Sequence, residues 1–129
     1  MKFRGVLLKP LDQQGDKDQM FIDPAGVKFD EDQDYTIWRE FNYTVPDDVL
    51  GHGKIVRGED GSLLVEGEIT YPTNVSKNFP FRLAIGVRSL DHTGNRLDGM
   101  TINRSEVFAV SFTPNHADPT QPAIEVERD

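Results

Sequence analysis

The chain contains no cysteine, which excludes disulfides and thiolate metal sites. It has no apolar run near the roughly 20 residues that a bilayer-spanning helix needs. The opening Met1-Lys2-Phe3-Arg4-Gly5-Val6-Leu7-Leu8 holds too short an apolar segment for a secretion signal and reads instead as a first strand. Positive charge is scarce: 14 Lys and Arg stand against 22 Asp and Glu, a formal net charge of −8. Nucleic acid, which needs cations against its phosphates, is not an expected partner, nor is an anionic membrane surface. A basic protein face is a better match for such a balance. No long stretch repeats apolar residues with a 3.6 period, so little helix is expected. With only 36% hydrophobic residues in 129, a single domain with a compact core and long polar loops is expected. Eight phenylalanines against one tryptophan and three tyrosines suggest that much of that core is aromatic.

What the chain does contain is strand pattern. Phe3 to Leu8 is β-rich and closes on Lys9-Pro10, and Gln19 to Ile22 is a second short run. Tyr35 to Val45 alternates, with Tyr35, Ile37, Arg39, Phe41 and Tyr43 on one side and Thr36, Trp38, Glu40, Asn42 and Thr44 on the other. Lys54–Gly58 and Ser62–Thr70 flank Glu59-Asp60-Gly61, and Asp-Gly between two such segments signals a hairpin. Phe81 to Leu90 and Arg104 to Phe112 are the last long strands, separated by a loop from Asp91 to Asp98. The glycine inside Leu83-Ala84-Ile85-Gly86-Val87 marks a bulge or close backbone approach. The expected fold is mainly β, a small antiparallel barrel or rolled sheet with little helix, over residues 1–113. Residues 114–129 carry Pro114, Pro119 and Pro122, so an extended tail that docks on a partner is expected.

Few residues carry obvious chemistry. A hydrolase would need a serine with a base in reach, and the candidates are Ser89, Ser105 and Ser111 with His52, His92 and His116. Ser89 and His92 straddle one strand end, and Ser111 and His116 flank another. Ordinary strand-end and loop residues are the weightier reading of all six. The three histidines have no metal-binding spacing within one element. Asp12, Asp16, Asp18 and Asp23 lack the alternate-position pattern and central glycine of a calcium loop. Asp30 to Asp34 reads as solvated. Gly51, Gly53, Gly58 and Gly61 do not precede a helix and form no phosphate cradle. No cofactor or metal is expected. Trp38 and Phe41 lie on opposite faces of the aromatic strand, so at least one face is buried, and the other is either covered within the barrel or a surface for a partner. Together with Pro114, Pro119 and Pro122 they are the expected partner-binding residues.

An ordered set of short motifs resembles the tailed-phage prohead maturation proteases, serine peptidases related to herpesvirus assemblin. It comprises Arg4-Gly5-Val6-Leu7-Leu8, Gly15-Asp16-Lys17-Asp18, Pro24-Ala25-Gly26, Gly53-Lys54-Ile55, Leu63-Leu64-Val65-Glu66-Gly67-Glu68-Ile69, Ala84-Ile85-Gly86, and Glu106-Val107 running on to Asn115-His116-Ala117-Asp118-Pro119. The resemblance implies that the nucleophilic serine belongs at position 84, where this chain has alanine, and that a histidine belongs near Thr44 to Pro46, where there is none. His52, directly against Gly53, is displaced from that place. The family's helix before the nucleophile strand has little room in Tyr71 to Pro80, where at most one turn fits around Val75 to Asn78. The implied function is that of a degenerate, non-catalytic relative: a phage capsid component in the virion, assembled in the host cytoplasm. Its implied partner is the major capsid protein, with self-association as a second contact. The competing expectation is an active prohead protease with a rearranged Ser/His pair that cleaves capsid or scaffold protein.

Overall fold

A computed structural model describes residues 1–40, 49–70, 81–114 and 116–127. The described chain is mainly β, as the patterning predicts, with two single 3₁₀ turns at Leu11–Gln13 and Pro24–Gly26. Its strands are β1 (Lys2–Leu8), β2 (Met20–Ile22), β3 (Val27–Lys28), β4 (Tyr35–Arg39), β5 (Val49–Arg57), β6 (Leu63–Ile69), β7 (Arg82–Asn95), β8 (Gly99–Thr113) and β9 (Glu125–Val126). None of the described helices is long and apolar enough to cross a membrane.

The sheet is organised around β8. One edge of β8 pairs antiparallel with β7 from Arg82↔Thr113 to Asn95↔Gly99. Its other edge takes β2, β3 and β4 in succession, all parallel. From β4 the sheet continues antiparallel through β5, β6, β1 and β9. The sheet is therefore mixed and open, not a wholly antiparallel closed barrel. The parallel pairing follows from how the chain advances along β8. From Ile22 to Val27 it uses five residues while β8 advances three, and from Lys28 to Ile37 nine while β8 advances four. The excess is taken up by the turn at Pro24–Gly26, where the Asp23 carboxylate accepts the Ala25 N–H, and by the acidic loop before Tyr35.

The alternation of β4 is as predicted over its described length: Tyr35 and Ile37 are buried, Thr36 is exposed and Trp38 is half-buried. The strand ends at Glu40, whose φ of 46° lies in the left-handed region. Phe41 and the remainder of the predicted strand to Val45 lie outside the described residues, as does Tyr71 to Pro80. The predicted hairpin is present between β5 and β6, with Gly61 at φ 90° and the Gly58 N–H on the Ser62 carbonyl at 2.8 Å. The Asp60 carboxylate holds the loop by accepting from the Ser62 hydroxyl at 2.6 Å and the Ser62 N–H at 3.0 Å. Gly86 marks a bulge, as its position predicts: the register shifts between Gly86 and Val87, and a Cβ on Gly86 would sit 3.1 Å from the Phe108 ring.

Two boundaries differ from the sequence reading. β7 and β8 run beyond the expected loop at Asp91–Asp98 to form one long hairpin that turns at Arg96–Asp98. Asn95 accepts the N–H groups of Leu97 and Asp98, and Gly99 takes φ 103°. Nor is the core chiefly aromatic. Its fully buried members are mostly aliphatic, including Leu7, Ile37, Leu50, Ile55, Leu63, Leu83 and Val110, gathered round Phe112. Phe112 makes edge-to-face contacts with Phe3 at 5.1 Å and Phe81 at 6.3 Å, while Phe108 is 59% exposed.

The C-terminal segment packs on the chain's own sheet, between β1 and the start of β7. The Ile124 N–H donates to the Phe81 carbonyl and the Glu127 N–H to the Lys2 carbonyl, each at 2.9 Å. β9 pairs with β1 at Phe3↔Val126 and Arg4↔Glu125. Gln121 is 4% exposed, and its Nε2 donates to the Val6 carbonyl at 2.7 Å and the Leu83 carbonyl at 3.4 Å. Arg82 Nε donates to the Gln121 carbonyl at 2.6 Å. Gly5 permits this approach, since a Cβ there would lie 2.8 Å from both Ile124 and Leu83. The segment is a seam that draws the two ends of the open sheet together. Replacing Gln121 with Ala removes a buried donor and strands the carbonyls it served, so an unfolding free energy lower by about 1–3 kcal/mol is expected from urea denaturation. An unchanged midpoint would mean that the seam does not hold these strands.

Candidate functional site

The seam also builds a cavity of about 310 Å³. It is lined by Leu7 and Leu8 at the end of β1 and by Ala84 and Ile85 on β7. Met20 and Ile22 of β2 close one side, and Thr113 with the loop His116–Asp118 closes another. Asp16 and Glu40 also border it. Among the described residues, the one hydroxyl-bearing side chain in the wall is Thr113, itself 6% exposed.

Asp118 holds the polar side of the cavity together. Its carboxylate receives Lys9 Nζ at 2.8 Å, the Gly15 N–H at 2.9 Å, the Thr120 N–H at 2.8 Å and the Thr120 hydroxyl at 2.6 Å. Lys9 also donates to the Thr120 hydroxyl oxygen. The Lys9 and Asp118 side chains are only 12% and 6% exposed, so the pair is largely withdrawn from water. Burial by itself pushes the Asp118 pKa up, but Lys9, the Thr120 hydroxyl and the two backbone N–H groups together outweigh it and hold the carboxyl well below the usual carboxylate range. Gln14 fixes the loop opposite: its amide donates to the carbonyls of Lys9 and Ile22 and accepts the Ile22 N–H at 2.9 Å, acting as a surrogate strand beside β2. The Lys17 N–H reaches the Ala117 carbonyl at 3.0 Å and ties the loop to the seam.

His116 uses Nδ1 to accept the Asp118 N–H at 2.9 Å. Its pKa lies below the ordinary imidazole value, first because burial disfavours the cation; Asp118 opposes that shift and Arg82 adds to it. Neutral imidazole suits this role, since the protonated ring has no acceptor at Nδ1.

The structure brings together only part of the predicted set. Ala84 and His116 line the same cavity. Ser111 is the direct cross-strand partner of Ala84, but it is fully buried and absent from the wall. Ser89 and His92 lie on the exposed outer half of β7, opposite Ser105 and Ile102. Ser105 is buried, and its hydroxyl has no hydrogen-bond partner among the described residues. His52 belongs to β5 and pairs with Asp34 at 2.8 Å on the surface. Trp38 is half-buried in β4, hydrogen-bonded into the sheet between β5 and β8. Pro114 is half-buried, with its carbonyl accepting from Arg82, and Pro119 and Pro122 are exposed at the seam. Among the described residues no group of three or more His, Asp or Glu could hold a metal ion. Asp16 accepts the N–H groups of Asp18 and Met20, and Asp23 caps a turn.

Sequence reading passed over Lys9, Gln14, Arg82, Asp118 and Gln121. Asp118-Pro119-Thr120 does carry a signal, because an Asp followed two residues later by a backbone and hydroxyl donor forms an Asx turn. Gln14 and Gln121 carry none, since their partners are distant carbonyls. No protein-family model matches this chain, and neither a curated protein nor a solved structure shows significant similarity to it.

The network predicts two steps of acid destabilisation. Below about pH 6.5 the unfolded chain binds a proton at His116 that the folded state resists, so stability falls as pH drops through that window. Below about pH 4 the same sign applies to Asp118, whose stabilising contribution is complete above its unfolded pKa and is lost on further acidification. His116→Asn keeps an acceptor near Nδ1 without the titration. Its urea midpoint should therefore be flatter between pH 7 and 5 than that of the parent chain. Equal slopes for the two proteins would remove His116 from the first step.

Proposed function

We propose that this chain is a non-catalytic relative of the tailed-phage prohead maturation proteases, serving as an accessory, decoration or stabilising subunit bound to the major capsid protein. The non-catalytic half rests on the cavity wall. Ala84 presents a methyl where the resemblance expects a nucleophilic serine, and a methyl cannot form an acyl intermediate. The groups nearest to acid–base chemistry are committed to structure, with His116 Nδ1 on the Asp118 N–H and the Asp118 carboxylate on Lys9, Thr120 and Gly15. The capsid half is supported by the ordered motifs of the sequence and by the net charge of −8, which favours a basic partner face. On this reading the protein resides in the virion after assembly in the host cytoplasm, and contacts between copies on neighbouring capsomers accompany the main interface.

The alternative, a protease with a rearranged Ser/His pair, would draw on Ser111 beside Ala84 together with His116. Burial argues against it: a nucleophile must reach a bound carbonyl, and Ser111 is fully enclosed. Two measurements separate the readings. The purified protein should neither react with a serine-directed fluorophosphonate nor cleave capsid or scaffold polypeptide, and electron microscopy of mature particles should show it at a fixed fraction of capsomer positions. Stoichiometric labelling at Ser111 or Ser89, or presence only in immature particles with self-cleavage, would establish the protease instead.

A further inference from the structure

The cavity has a chemical selectivity that its lining makes legible. Its lining includes the apolar side chains of Leu7, Ile22, Ala84 and Ile85. Its one lysine is already consumed, because Lys9 lies 2.8 Å from the Asp118 carboxylate and both side chains are nearly buried. Two further carboxylates remain at the wall, Asp16 and Glu40, and neither has an ion pair among the described residues. The Asp16 carboxylate is fixed by accepting the Asp18 N–H at 2.7 Å, whereas at Glu40 the backbone is held, its N–H on the Phe112 carbonyl at 3.0 Å, and the side chain is exposed. Lys9 offsets Asp118, and Arg82, held on the Gln121 and Pro114 carbonyls, offsets one further carboxylate, so the site keeps a net negative charge beside an apolar lining.

We infer that this cavity takes the side chain of a lysine or arginine presented by a partner protein, its methylene stem against the apolar walls and its cationic head toward Asp16 and Glu40. Three physical arguments favour that occupant. Lysine and arginine bury an apolar stem while keeping a charged tip at a polar rim, the arrangement this lining offers. A purely apolar side chain would desolvate the two carboxylates with nothing in return. An acidic side chain would meet like charge from the rim and from a chain whose net charge is −8. The volume of about 310 Å³ lies at the lower end of ligand cavities, enough for one long side chain and not for a folded element. The inference rests on the cavity being a binding site, but not on the capsid protein being the partner.

The test uses the full-length chain, labelled with ¹⁵N and titrated with Nα-acetyl-lysine methylamide and Nα-acetyl-arginine methylamide. The norleucine and glutamate analogues serve as controls. The cationic amides should give saturable shifts centred on Asp16, Ala84 and Ile85, and the controls should not. Asp16→Asn keeps the oxygen that caps its turn and Glu40→Gln alters an exposed side chain, so the double variant should fold normally. It should bind the cationic amides about three- to tenfold more weakly, the range expected for two partly screened charge contacts. Ala84→Leu should abolish the shifts by filling the slot, with an otherwise unchanged amide spectrum as the control for folding. Equal binding of the norleucine analogue, undiminished binding by the double variant, or shifts confined to the acidic loop Asp30–Asp34 would each overturn the inference. Absence of saturable shifts would do so as well, even if the protein decorates capsids. Specific amide binding by a protein that fails to decorate capsids would uphold it and reject only the proposed partner.

Discussion

The architecture depends on one buried side-chain amide. Gln121 lies between β1 and β7, strands that have no ladder joining them, and its Nε2 supplies the donor for carbonyls on both. Arg82 then clamps the Gln121 carbonyl, and Ile124 and Glu127 continue the contact with backbone donors. An open sheet whose end strands approach without pairing leaves backbone acceptors cut off from water, and each must find a donor. Here the C-terminal segment provides them. It does so without forming a full strand, because Pro119 and Pro122 deny it the N–H groups a continuous ladder would use.

The cavity is a consequence of this closure. A segment that enters the gap at Thr113 and leaves along β1 must turn within a few residues, and the turn is held by Asp118 with Thr120, Gly15 and Lys9. The space beside it is the cavity of about 310 Å³. Fold and site therefore share the same residues. A substitution that loosens Asp118 costs stability and reshapes the cavity together, which is why the acid response of the fold and the occupancy of the slot are expected to be linked.

What could be read in the sequence was local. The β5–β6 hairpin followed from Asp60-Gly61, the inward set Tyr35 and Ile37 from period-two alternation, and the Gly86 bulge from a glycine inside an apolar run. The outer half of β7 was hidden because Ser89 to Asn95 are exposed throughout, so no face alternates between apolar and polar. β3 and β9 are only two residues long, too short for any pattern. Parallel pairing of β2, β3 and β4 with β8 is set by non-local geometry. The seam was read as an extended tail docking on a partner because prolines and a glutamine look like loop, and the burial of Gln121 is explained by carbonyls distant in the chain, 115 residues earlier at Val6 and 38 at Leu83. At the site, Ala84 and His116 could be picked out from the sequence, whereas the lysine and carboxylates that set the character of the cavity could not.

The central claim is that residues 116–127 are part of the folded body and bridge β1 and β7 across the gap in the open sheet. Native-state amide hydrogen exchange tests it most directly. The N–H groups of Ile124 and Glu127 donate to the carbonyls of Phe81 and Lys2, so they should exchange with protection comparable to the amides of β1 and well above that of the exposed turn at Arg96–Leu97. Exchange of Ile124 and Glu127 at the rate of an unstructured peptide, with β1 still protected, would show a free tail and contradict the account.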